Sequence, residues 1–114
     1  MRYVVTAFVI LIVAFPARAS AENLKAEGLY ASCVVAPEKS SCFPYLRGAV
    51  EMLMFYNPLS GSFLCFPKEG FMPEDVRKTF VKYYKEHESD AKEAPAANVL
   101  YAALRLKFPC EGEK

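Results

Sequence analysis

Four cysteines, Cys33, Cys42, Cys65 and Cys110, and one histidine, His87, are the residues whose types are best suited to covalent or acid–base chemistry. A nucleophilic thiol needs a base to take its proton. A single histidine in the run Lys85-Glu86-His87-Glu88 is thin provision, and a solvated or partly packed ring is its ordinary fate. Structural zinc asks for ligands in short pairs such as Cys-x-x-Cys, and none occurs. There is no Gly-x-Ser-x-Gly and no glycine-rich phosphate loop, and the five glycines are scattered. Carboxylates such as Glu51 and Glu69 are more simply read as solvated surface groups. The expectation is therefore no catalytic residue, no metal and no cofactor, with the cysteines left to cross-link one another.

Cross-linking needs an oxidising compartment, and the start of the chain points to one. Arg2 is the only early charge, Tyr3 to Phe15 is an uncharged run, and Ala17-Arg18-Ala19 puts small residues at −3 and −1. These are the three parts of a secretory signal. The uncharged run falls short of the roughly 20 apolar residues that a membrane span requires. Residues 1–19 are expected to be a cleaved signal peptide and residues 20–114 a single exported domain, with no membrane attachment after cleavage. That domain holds all four cysteines, an even number that argues two bridges. A chain of this size buries a modest share of its surface, so covalent help is physically apt.

Losing Arg2 and Arg18 from the 14 basic residues leaves them one short of the 13 acidic ones. Signs are also interleaved, as in Glu74-Asp75-Val76-Arg77-Lys78, so no stripe of positive charge follows a phosphate backbone, and a nucleic-acid partner is not expected.

Helical spacing supplies the elements that must hold the cysteines. Leu24, Tyr30, Cys33 and Val34 predict a first helix over 22–35, ended by Pro37. Ser41 can cap a second, in which Cys42, Tyr45, Leu46, Ala49, Val50, Leu53 and Met54 recur at three and four, and Asn57-Pro58 should stop it near Tyr56. A loop follows over 57–64, with irregular chain beyond it. Pro73 opens a third helix with face Val76, Phe80, Tyr83 and Tyr84, running to about Glu88. Pro95 opens the last, with Val99, Leu100, Ala103 and Leu104, which must end before Pro109. No run alternates with period two. The expected fold class is all-α: a small bundle of four main helices with a long middle loop, stapled by two disulfides. A hairpin of the first two helices would bring Cys33 to Cys42, leaving Cys65 for Cys110, although spacing leaves the other two connectivities open. Most of the aromatic residues are expected in the core, while Phe43, Phe63, Phe66 and Phe71 in loops are candidates to anchor an interface.

Several ordered blocks carry a resemblance. They are Cys42-Phe43-Pro44-Tyr45-Leu46-Arg47-Gly48-Ala49-Val50, Cys65-Phe66-Pro67-x-x-Gly70, Val81-x-Tyr83-Tyr84-x-x-His87, Ala94-Pro95-Ala96-Ala97 and Phe108-Pro109-Cys110. Over roughly residues 33–110 the chain resembles the Rap/Tai family, immunity proteins of type VI secretion that neutralise peptidoglycan amidases in the periplasm. Met72 and Glu88 stand where that family usually has Ser or Thr and Pro, departures that touch helix ends. The resemblance implies a periplasmic protein that binds and inhibits a cognate peptidoglycan amidase effector. Blocking a cleft enzyme asks for a protruding, tethered element, and the 57–64 loop before Cys65 fits, with Ser60, Gly61, Ser62 and Phe63 as expected contacts. Homodimerisation stays open, since apolar helix faces leave room for a second copy. The alternatives are a periplasmic helical stress chaperone that exposes apolar surface in acid, or another protein-binding module.

Overall fold

Apolar residues spaced three and four apart build five helices among the described residues: α1 Ala26–Val35, α2 Cys42–Ser60, α3 Pro73–Glu86, α4 Glu88–Ala91 and α5 Ala96–Lys107. The computed structural model describes residues 24–60 and 64–110. The expected signal peptide and three of the expected contacts, Gly61, Ser62 and Phe63, lie outside the described residues.

α3 is the central element, packing against α1, α2 and α5. Its Val76, Phe80 and Tyr84 face inward and meet Leu29 of α1, Leu46 and Val50 of α2, and Leu100 and Leu104 of α5 in one core cluster. The Tyr84 ring stacks on Tyr30 at 4.2 Å. Pro73 at the first helical position loses no useful N–H, and Glu74 and Asp75 sit where the helix dipole favours negative charge.

Both bridges pair as the hairpin argument anticipated. Cys33 at the end of α1 joins Cys42 at the start of α2, with Cα atoms 5.0 Å apart, and both residues are completely buried. Cys65 joins Cys110 across 4.9 Å. This second bridge is reinforced by a hydrogen bond from the Cys65 N–H to the Phe108 carbonyl and by the packed rings of Phe66, Phe71 and Phe108.

Four boundaries depart from expectation, each for a local reason. α1 begins at Ala26, not at 22, because the backbone before it is engaged elsewhere. Ala96 N–H donates to the Leu24 carbonyl and Ala26 N–H to the Ala94 carbonyl, forming a short antiparallel bridge at Lys25 and Pro95. The hydroxyl at the start of α2 belongs to Ser40, which accepts from Cys42 N–H and donates to the Ser32 carbonyl, and Ser41 contributes its carbonyl to Tyr45. α2 continues through Asn57-Pro58 to Ser60, which shortens the expected middle loop. Pro58 deprives the Met54 carbonyl of its helical donor, but Met54, Phe55 and Tyr56 are exposed, so water can replace the bond and the helix runs on. Finally, the polar linker after α3 folds into the single turn α4, so the bundle has five helices where four were expected. His87 ends α3, and the Ala91 and Asp90 N–H groups bond back to its carbonyl.

Two ion pairs grip the ends of α1. Lys25 reaches Glu93, and Arg77 binds Glu74 while its Nη1 donates to the Cys33 carbonyl at 3.0 Å. The hydrogen bond from Arg77 holds the Glu74 carboxyl below the usual value for a glutamate, and Lys25 does the same to Glu93. A carboxyl whose folded pKa is depressed contributes its stability above the unfolded value of about 4.3 and loses it as pH falls through the folded one. The melting temperature is therefore expected to drop modestly below pH ~4.5, with Glu74→Gln removing part of the drop; thermal melts across pH 3–7 check it. The effect should shrink in high salt mainly through Lys25–Glu93, which is exposed, and less through Arg77–Glu74, which is partly buried.

Candidate partner-binding face

From Met52 to Pro67 the chain carries no charged residue. α2 enters this stretch from a conventional start: Leu46 and Val50 are buried against α3, and Arg47 and Glu51 pair on the outside at 3.2 Å. Beyond Glu51 the pattern changes. Met52 is 57% exposed, Met54 50%, Phe55 67% and Tyr56 56%, while Leu53 alone packs partly on the core. Successive helical residues turn by roughly 100°, so these four side chains point to several sides of the helix. The turn from Met52 to Tyr56 is thus largely uncovered while being apolar on each of these sides. A helix of that kind is normally buried.

An apolar groove runs beside it between α2 and α3. Leu46, Val50 and Met54 line one wall, Phe71 and Val76 the other, and the space is ≈ 310 Å³. Past Arg47, Glu51 and Pro73, which border both, it opens into a shallow depression of ≈ 880 Å³ lined by Phe43, Pro44, Gly48 and Met72. Gly48 opens that depression: a methyl group placed on it would meet nothing within 4 Å. Glycine in mid-helix costs roughly 0.5–1 kcal/mol relative to alanine, and no contact inside the domain requires it here.

Of the expected contacts, Ser60 is the last residue of α2, and Gly61, Ser62 and Phe63 lie outside the described residues. The chain re-enters the core at Leu64, which is 1% exposed, and is fastened one residue later by the Cys65–Cys110 bridge. Of the other aromatics expected in loops, Phe66 and Phe71 pack with Phe108, Phe71 also lining the groove, whereas Phe43 lies not in a loop but in the first turn of α2, where it lines the depression. The sequence puts Met54 on the inward stripe, and it does follow Leu46 and Val50 along one wall of the groove, but it lies half exposed because α3 does not cover that end of α2.

The chemistry-bearing residues are otherwise engaged. All four cysteines are in bridges. The His87 ring stacks on Tyr83 at 4.1 Å, and its Nδ1 lies 2.9 Å from the Tyr83 carbonyl, an acceptor only, so Nδ1 carries the proton and donates. Among the described residues no three of His, Cys, Asp and Glu gather to hold a metal ion, and no helix is long and apolar enough to cross a membrane. A second groove, between α3 and α5, mixes Lys78, Lys82 and Lys107 with Asp75 and Glu86 and so selects neither sign.

Compared with known proteins, a family model described as Rap1a immunity proteins matches residues 25–110, from the backbone bridge at Lys25 to the terminal disulfide. No curated protein and no solved structure matches the chain.

Proposed function

The chain belongs to the Rap1a family of immunity proteins, and from that premise we propose that it is exported to the periplasm, where it binds a peptidoglycan amidase effector of type VI secretion and blocks its active site. It acts by binding and carries out no hydrolysis of its own. The observation that supports this reading is the uncharged far end of α2, with Met52, Met54, Phe55 and Tyr56 exposed beside an apolar groove. Apolar surface of this kind on a small domain marks a protein interface, and aromatic side chains there are the usual energetic anchors. Ser60, Gly61, Ser62 and Phe63 follow in sequence and are proposed as the residues that enter the amidase cleft, with Leu64 buried and Cys65 bridged directly after them.

Replacing Ser60, Gly61, Ser62 and Phe63 by a Gly-Ser linker is expected to abolish inhibition of the amidase while both bridges and the melting temperature persist. Gly48→Lys provides an independent probe, because the space around Gly48 accepts a side chain without disturbing the fold. It should keep the melting curve and weaken binding to the amidase, measured by calorimetric titration, by roughly tenfold or more if the partner covers the depression. An amidase inhibited equally well by both variants would move the interface away from α2.

A further inference from the structure

The methionines among the described residues, Met52, Met54 and Met72, are all at least half exposed, at 57, 50 and 66%, and none is part of the core. Their placement is not scattered. Met54 lines the α2–α3 groove, Met72 lines the depression that continues it, and both spaces share Arg47, Glu51 and Pro73. Met52 belongs to the same uncharged helix end but sits roughly 200° round the helix from Met54 and lines neither space. The four cysteine sulfurs are closed into two disulfides, with no free cysteine to consume an oxidant first.

We propose that this face is a methionine-oxidation site, and that conversion of Met54 and Met72, with Met52, to sulfoxides switches off its apolar character without unfolding the domain. The oxidant is of the peroxide class. The thioether sulfur attacks one peroxide oxygen, the O–O bond breaks as the S–O bond forms, and the sulfur's electron pair reduces the peroxide, so that each thioether and one hydrogen peroxide give one sulfoxide and one water. The product is a flexible side chain turned polar, with an oxygen that demands a hydrogen-bond donor. The groove offers little: most of its lining is Leu46, Val50, Phe71, Pro73 and Val76, and its one cation, Arg47, is already paired with Glu51 at 3.2 Å. A partner seated there would bury that oxygen unsatisfied, which weakens binding by about tenfold or more. The core is untouched because its members, among them Phe80, Leu29, Leu100 and Leu104, contain no thioether.

The consequence for the partner rests on the immunity reading; the oxidation itself does not. The test treats the folded, disulfide-bonded protein with hydrogen peroxide at neutral pH and follows three quantities: sulfoxide at each methionine by peptide mass spectrometry, the thermal melt, and retention on a phenyl hydrophobic-interaction column. Sulfoxide at all three positions, an unchanged melt and earlier elution are expected. A Met52→Leu/Met54→Leu/Met72→Leu variant, conservative at exposed positions, should elute identically before and after treatment. Thioethers that resist peroxide at doses that oxidise free methionine would overturn the proposal. So would unchanged elution of the oxidised protein, or a collapse of its melt. A second arm titrates the amidase effector: binding lost on oxidation of the natural chain but kept by the leucine variant supports the switch, and binding kept by both refutes it. If the untreated protein captures no amidase, the immunity reading fails while the column arm still decides the oxidation.

Discussion

Leu104→Asp is expected to unfold the protein, with loss of the helical circular dichroism signal at room temperature. Leu104 is completely buried in α5, in the same cluster as Phe80 and Leu100 of the α3–α5 contact, and no buried polar side chain occurs among the described residues. An aspartate there finds neither a cation nor a hydrogen-bond donor. Keeping it charged costs several kcal/mol, and protonating it still leaves a carboxyl unsatisfied and a leucine's packing lost. Against a total stability of roughly 5–15 kcal/mol, such a loss brings a domain of this size to its threshold or below it. Leu53→Asp gives the contrast. Leu53 is only partly buried on the flank of the exposed end of α2, so its carboxylate can reach water and the melt should fall but survive. A cooperative wild-type melt in Leu104→Asp would mean that α5 presents this face outward.

Removing the terminal bridge with Cys65→Ser/Cys110→Ser is the second large effect. The two cysteines are 45 residues apart, against 9 for Cys33 and Cys42, and a longer closed loop restricts the unfolded chain more. Chain-entropy reasoning puts the loss at about 4 kcal/mol, some 1.4 kcal/mol more than loop closure alone assigns to the short bridge. In a domain of this size that corresponds to a drop in melting temperature of roughly 15–30 °C. The short bridge also contributes core packing, since both of its residues are fully buried, whereas Cys65 is exposed. The order of reduction should follow that exposure. Limited dithiothreitol treatment of the native protein followed by alkylation should label Cys65 and Cys110 before Cys33 and Cys42, and simultaneous labelling would show that the whole domain must open first.

Much of this architecture was legible in the residues. Long stretches with a polar side and an apolar side, such as Val76, Phe80 and Tyr84 set against Arg77, Lys78 and Lys82, announce both the helix and its inward face. The bridge pairing followed from where two helix ends must meet. What escaped was either short or unpatterned. α4 is one turn, too brief for any period, and it exists because His87 and Glu88 offer carbonyls to returning N–H groups. The late start of α1 depends on a backbone pairing with residues some 70 positions away, which no local window contains. The end of α2 escaped for the opposite reason: so many apolar residues in succession look like a core stripe in any phase. Its exposure is set by what α3 does not cover. Turn-forming residues predict a loop from Asn57 onward, yet Ser60 is helical, which gives the proposed contact segment Ser60, Gly61, Ser62 and Phe63 a stiff stalk on its leading side.

The bridge between Lys25 and Pro95 bears on how the chain comes to fold. Synthesis delivers the amino-terminal residues first, yet the hydrogen bonds of Leu24 and Ala26 close on Ala96 and Ala94, and Cys65 pairs only with Cys110. Every such closure waits for the last fifth of the sequence. A nascent chain halted anywhere earlier has the start of α1 without its backbone partner, α3 without α5 against it, and one thiol in search of its mate. Long-range closures of this sort slow folding and make it late, because the entropy of the loop must be overcome before any contact rewards it. On the export proposed above, lateness would be an asset: a chain that crosses a membrane as an unfolded thread must stay passable until its far end has arrived, and folding would then coincide with delivery.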